Sequence, residues 1–307
     1  MKRFFIPVLF LVICHSIHAQ QKDSVVLVGK KVVTLSEVVV DSRLNVPAFI
    51  ERIRNDSSFY KAFRNLHILG FTAINDIRML TKSGDLKAGL HSKTKQVRVN
   101  DCRSMQVLEE TPSGDFYNNE HQYNYYTADM YASLFFTKGT ICGENNIVKG
   151  IEFSTAGKSG MEKHKQQLKM LFFNPGKRIS GLPFMSNKTA IFDDNIADRY
   201  DMSIDMDFYN NTSCYIFHQK VKPGYEGNVV VDEMTTWFND STFEVVGRNY
   251  RLSYDAGVYD FKVSMEVLMS RFKDLTVPTL IRYNGNWKAI FKKRERGVFT
   301  ATLFDFE

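Results

Sequence analysis

From Tyr200 onward the chain alternates between apolar and polar side chains. In YDMSIDMDFY, Tyr200, Met202, Ile204, Met206 and Phe208 fall on one side, opposed by Asp201, Ser203, Asp205 and Asp207. YDFKVSMEVLMS repeats the pattern with Tyr259, Phe261, Val263, Met265, Val267 and Met269 on one side. Such period-two runs predict strands buried on one face, as in antiparallel sheets. GNVVVDEMTTWFNDSTFEVVGRNYRL (Gly227 to Leu252) reads as a strand, a polar interruption and a second strand. In LIRYNGNWKAIF, Asn284-Gly285 has the composition of a tight hairpin turn, with Trp287, Ala289 and Phe291 on one side of the returning strand. With SCYIFHQKV and VFTATLFDF, residues 200–306 predict a meander of about seven strands.

The first two-thirds is more helical. In Val46 to Leu66, Phe49, Ile50, Ile53, Phe63 and Leu66 recur at helical spacing, and Asn55-Asp56-Ser57-Ser58 marks a break into two helices. FTAINDIRML and LKAGLHSKTKQVRV follow as strands around a Ser83-Gly84-Asp85 turn. Tyr123 to Phe136 and Met161 to Phe173 read as amphipathic helices, the second stopped by Asn174-Pro175-Gly176. A long twisted sheet curls, and its apolar face must be covered. The predicted fold is α+β: a large curved antiparallel sheet, a half-barrel, with helices packed on its concave face.

The N-terminus adds an address. Lys2 and Arg3 precede an apolar run from Phe4 to Ile13, and Ile17 and Ala19 occupy the −3 and −1 positions of a cleavage site. That is the grammar of a secretory signal peptide, with a run too short to span a bilayer. Cleavage after Ala19 is preferred to lipidation at Cys14, because the residue before a lipidated cysteine is normally small and here it is Ile13. The expected divisions are a signal peptide over 1–19, an extended arm over 20–45, and one curved-sheet domain over 46–307. The arm holds three β-branched clusters, which suit one or two strands. The protein is expected to be exported, in the periplasm or associated with the outer membrane.

Charge and cysteine content change little. Loss of Lys2 and Arg3 lowers the formal charge from +6 to +4. Basic clusters at Lys87–Arg98 and Lys288–Arg296 read as solvated strand faces, and nucleic acid is not an expected partner outside the cytoplasm. Cys102, Cys142 and Cys214 allow one disulfide or three thiols, and no CxxC pair points to structural zinc.

Candidate chemistry is sparse. Gly157-Lys158-Ser159 resembles the end of a phosphate-binding loop, but Glu152 stands where that loop needs glycine, so no nucleotide is expected. His67, His91, His121, His164 and His218 form no metal-binding spacing, and Glu120-His121 lacks its partner histidine. No Gly-x-Ser-x-Gly elbow is present, and Asp205 and Asp207 lie on a polar strand face. No cofactor, metal or catalytic residue is assigned.

The long strands, with Val231-Asp232, the restart Phe243-Glu244-Val245-Val246 and the final VPTLIRYNGNW, resemble the outer-membrane lipoprotein-sorting carrier fold over residues 46–307. That resemblance implies an unclosed sheet wrapping helices around an apolar cavity for acyl chains. VTLSEVVVDS (Val33 to Ser42) resembles the closing strand of carboxypeptidase-regulatory-like domains, whose remaining sandwich is missing. The leading expectation is a non-enzymatic envelope protein binding a lipid or lipoprotein acyl chain, lined by Trp237, Phe261, Met265, Trp287 and Phe291. Its rivals are a solid-cored module that binds an envelope protein partner, and a hydrolase of envelope polymers.

Overall fold

Thirteen strands join in one sheet in the computed structural model, which describes residues 23–42, 44–148, 169–179, 185, 187–255, 259–289 and 293–307. The proposed leader over 1–19, the Gly157-Lys158-Ser159 stretch, residues 161–168 and Phe291 lie outside them. The strands are β1 (Ser24–Val28), β2 (Lys31–Leu35), β3 (Phe71–Leu80), β4 (Leu86–Val99), β5 (Cys102–Gly114) and β6 (Thr140–Cys142). β7 (Tyr200–Tyr209), β8 (Thr212–Val221), β9 (Val231–Asn239), β10 (Val245–Asp255), β11 (Tyr259–Phe272), β12 (Leu275–Ala289) and β13 (Glu295–Phe304) form the expected meander. Their spatial order is β1-β2-β7-β8-β9-β10-β11-β12-β13-β3-β4-β5-β6. The β1 and β6 ends are not paired with each other, so the sheet is an open half-barrel.

Three expectations change. The sheet is mixed, because β2 runs parallel to β7 with Val33 opposite Met202 and Leu35 opposite Ile204. Parallel neighbours need a long crossover, and here residues 36–199 supply it. The arm is therefore part of the sheet edge. Its third valine cluster is helix α1 (Glu37–Asp41), which buries Val39 and exposes Val38 and Val40. Ser36 ends the strand by donating its N–H to the Ile204 carbonyl, while its own carbonyl accepts from Val40.

The third change concerns Asn284-Gly285, which makes no turn. β12 runs through it for 15 residues, with Gly285 opposite Val263 and Gly297. A Cβ on Gly285 would lie 2.7 Å from Cε1 of Tyr283. The glycine leaves a slot in which the buried Tyr283 ring lies along its own strand, stacked on Phe299 at 4.8 Å. Trp287 donates its indole N–H to the Tyr283 hydroxyl.

Helices α2 (Val46–Asn55) and α3 (Ser58–Asn65) split where the polar run predicts, with Asp56 accepting from the Ser58 N–H. α4 (Tyr126–Phe135) starts on the carboxylate of Glu295, which accepts from the Tyr126 and Thr127 N–H groups at 3.0 and 2.8 Å. Residues 169–173 are helical, and α5 (Asp194–Ala197) precedes β7.

These helices cross the concave face in turn. Phe49 of α2 meets Phe217 and Phe238 edge-on at 6.2 and 5.6 Å. Phe59 of α3 lies 4.3 Å under the Arg248 guanidinium. Phe172 sits 5.7 Å from Tyr283, and Tyr131 of α4 lies 4.6 Å from Phe299. Inward side chains of β11 from Phe261 to Met269 are all buried, as their alternation predicts.

Candidate functional site

Phe261, Met265 and Trp287 come together on the concave face, but as core. Phe261 stacks on Trp287 at 4.5 Å, and Phe172 lies 6.2 Å from that indole. The Tyr250 hydroxyl donates to the Phe172 carbonyl at 2.6 Å and sits 2.9 Å from the Met265 sulfur. Where α4 and Phe172 meet β11 to β13, a pocket of about 10 Å³ is too small for any lipid. Trp237 is on the other face. It stacks on Tyr209 at 4.2 Å, over Gly247, where a Cβ would lie 2.7 Å from the Tyr209 ring. The open space expected at the sheet centre is thus filled by Phe172, Tyr283 and their neighbours.

Room exists instead at the β4–β6 end. A cleft of about 1040 Å³ opens between the inward face of β5 and α4, with α3 and residues 137–144 together at one end and residues 117–123 at the other. Pairing in the ladder places Arg103, Met105, Val107 and Glu110 on the inward side of β5, opposite Arg98, Gln96, Thr94 and Ser92. β5 is partly or fully exposed along its whole length. No helix among the described residues covers it as α2 to α4 cover the strands before it. Phe63, Phe135 and Phe173 form an aromatic wall, with Phe63 and Phe173 4.9 Å apart and Phe135 6.3 Å from Phe173.

The cleft floor is a polar knot. Gln96 is buried and donates to the Leu66 and Leu69 carbonyls, both at 2.7 Å. Its oxygen accepts from Arg103 at 3.1 Å and from the Thr137 hydroxyl at 2.9 Å. Arg103 also donates to Thr137 and, through Nε, to Glu144. Glu144 holds His67 Nδ1 at 2.8 Å. Burial alone would raise the Glu144 carboxyl, but Arg103 and His67 together hold it below the usual range. Burial, helped by the Arg103 charge and opposed by Glu144, brings His67 down to about 4, so it is neutral at pH 7.

A disulfide between Cys102 and Cys142 ties β6 to β5 and holds this segment over the floor. Cys214 remains a buried thiol, and burial pushes its pKa up to about 11. At the opposite end, Tyr117 donates to Glu110 at 2.6 Å and stacks on His121 at 4.1 Å. Glu110 and Asp129 both act on the Tyr123 hydroxyl, whose pKa is raised first by burial. The residues of this cleft were missed because charged inward positions on β5 look like an outer face. A signal was present in the density of rings in YNNEHQYNYYTADMYASLFF, residues 117–136.

No family model matches the chain, and no curated protein matches it. Among solved structures it is similar to a DUF1329 family protein from Desulfovibrio piger, at 12% identity over 82% of this chain and 93% of that one, with a TM-score of 0.25. It is also similar to an outer membrane lipoprotein-sorting protein domain from Vibrio parahaemolyticus, at 8% identity over 83% and 92%, with a TM-score of 0.28. At those TM-scores the likeness carries no argument about fold or function.

Other constellations do not build a reaction centre. On the outer face, His218 lies 3.0 Å from the Thr235 hydroxyl and 3.5 Å from Asp205. These groups sit mid-strand, where the backbone N–H groups of β7 to β9 serve the ladder and none is left to hold an oxyanion. The neighbouring groove of about 490 Å³ contains the cross-strand pairs Arg251–Glu233 and Arg282–Glu266. Of the basic clusters, Arg294 pairs with Asp260 and Arg296 donates to the Lys82 carbonyl. Among the described residues, Asp101, Cys102 and Cys142 alone gather as metal-ligand types, and their disulfide removes both thiolates.

Proposed function

We propose that this chain is a non-enzymatic, exported envelope protein that binds an amphiphile in the cleft between β5 and α4. The observation that carries the reading is the uncovered inward face of β5, beside the half-buried rings of Tyr123, Tyr126, Phe135 and Phe136. Covering such surface is worth roughly 25 cal/mol per Å², whatever the exact chain length. The leader-like residues 1–19 and a half-exposed disulfide both suit an oxidising compartment beyond the cytoplasm.

The test is gentle purification of the exported protein, lipid extraction with mass spectrometry, and titration with a fluorescent fatty acid. Val107→Asp puts a charge of the same sign as the fatty acid on the cleft wall, at a position already 59% exposed, so it should abolish uptake and leave the melting temperature unchanged. Absence of both co-purifying lipid and uptake in the unaltered protein overturns the reading.

A partner-binding role has one observation in its favour: Val25, Leu27, Val32, Val38 and Val40 are all exposed at the β1 edge. Deleting the arm would uncover β7, so Val25→Thr with Leu27→Thr is the cleaner probe. Loss of envelope association with lipid uptake intact would support this second role.

A further inference from the structure

We propose that the cleft selects amphiphiles with an anionic end group, carboxylate or phosphate, and that Arg103 and Arg64 hold that group while the chain lies against the rings. This rests on the amphiphile reading above and adds the class of head group and its place.

The argument is the sorting of charge along the cleft. Arg64, Arg103 and Lys138 line the end near α3 and residues 137–144, and Glu110 is at the other end with Tyr117 and Tyr123. Asp129 and Lys169 lie along α4, Lys169 bonded to Ser133 one turn from Asp129. Glu144 is the acid nearest the basic end. It is committed to Arg103 and His67 and does not line the cleft. His67 is neutral and adds no charge.

Arg103 is held from behind. Its Nε meets Glu144, and its Nη1 serves Gln96 and Thr137, so the guanidinium plane is fixed. Its Nη2 makes no hydrogen bond among the described residues, and the side chain, 13% exposed, lines the cleft. Arg64 spends Nη2 on the Asn145 carbonyl and keeps its other donors. Lys169 is bound to the Ser133 carbonyl at 3.2 Å. One guanidinium fixed by its surroundings and a second beside it suit the flat, multi-oxygen face of a carboxylate or phosphate. The half-buried ring of Phe135, backed by the buried Phe63 and Phe173, then receives the first carbons of the chain.

The experiment compares hexadecanoate, hexadecanol and hexadecylammonium as competitors for a bound fluorescent fatty acid, in the full exported chain at pH 7. Hexadecanoate should bind about tenfold tighter than hexadecanol, with hexadecylammonium weakest, and added salt should weaken hexadecanoate alone. Arg103→Gln should bring hexadecanoate to within about threefold of hexadecanol. Because Arg103 also ties the floor together, Arg64→Gln serves as the second variant and should narrow the same gap.

Equal affinity for hexadecanoate and hexadecanol in the unaltered protein overturns the head-group assignment while leaving the amphiphile reading standing. Binding of none of the three overturns that reading itself. Inorganic phosphate alone should displace the probe only far above the concentration at which hexadecanoate does. Displacement at equal concentration would make this an anion site without a chain and overturn the proposal.

Discussion

Replacing Gly285 by alanine tests how the centre of the sheet is filled. In an ordinary strand the change from glycine would stabilise by about 0.5–1 kcal/mol through the unfolded chain. Here the added Cβ would lie 2.7 Å from Cε1 of Tyr283, a ring that is 4% exposed. The ring stacks on Phe299 at 4.8 Å, lies 5.7 Å from Phe172 and accepts from Trp287. Displacing it forfeits two ring pairings of about 0.5–1.5 kcal/mol each and a hydrogen bond of about 1 kcal/mol. With some strain remaining, Gly285→Ala should destabilise by about 2–4 kcal/mol net. Urea unfolding followed by circular dichroism measures it. In a Tyr283→Ala background the slot is empty, and the same substitution should be neutral or stabilising by up to about 1 kcal/mol. An equal cost in both backgrounds would refute the reasoning, because the penalty would then come from the backbone.

Three further outcomes follow from named contacts. His67 sits near pH 4 when folded, below its unfolded value of about 6.5, so the unfolded chain takes up the extra proton first. Stability should therefore fall by up to about 2 kcal/mol as pH drops from about 6.5 to 4, and urea midpoints for His67→Asn should show a flatter slope. The Cys102–Cys142 bridge closes a sequence separation of 40, worth about 4 kcal/mol by loop entropy. Replacing both with serine should cost about 2–4 kcal/mol in melting experiments and speed hydrogen exchange over residues 137–146. Arg248 is buried with a hydrogen bond to Thr236 and no ion pair among the described residues, and burial brings its pKa down to about 10. Arg248→Met should leave the melting temperature unchanged or raise it, since a desolvated cation is replaced by an unbranched apolar side chain.

The parts of the fold legible in the sequence are those where local pattern and tertiary environment agree. β11 is covered on one face by helices and wet on the other, so its alternation from Phe261 to Met269 reports the core directly. Asp56 breaks α2 from α3 because its side chain and backbone leave the helix together. Asn284-Gly285 misleads because turn propensity is a local quantity, and the need for a slot under Tyr283 appears only when β11 and β13 are in place. Trp237 misleads for a related reason. Trp237 and Phe238 are adjacent rings and must face opposite ways, and only the pairing of Trp237 with Gly247 shows which ring points outward. α1 is a valine-rich segment that is helical against its β propensity, with Val39 buried. β5 carries Arg103 and Glu110 on its inward side, so no one-sided pattern exists to be read.

That absence of pattern on β5 bears on the cleft itself. An inward position meant for a dry core is filled with Val, Ile, Leu or Phe, because a buried polar group without a partner costs on the order of 1–3 kcal/mol. β11 obeys that rule and β5 does not. Along the floor, Gln96, Arg103 and Thr137 bond one another, and Arg103, which lines the cleft, keeps Nη2 without a hydrogen bond among the described residues. A surface left bare by accident would have no reason to fix a guanidinium from three directions, by Gln96, Thr137 and Glu144, beneath a loop held by a disulfide. Such fixing restricts a long flexible side chain in advance, so that less entropy is lost when an anion arrives. The half-barrel thus has a solid middle under α2, α3 and residues 169–173 and an organised, unfilled end under α4. The difference follows from which inward residues the chain supplies to each strand.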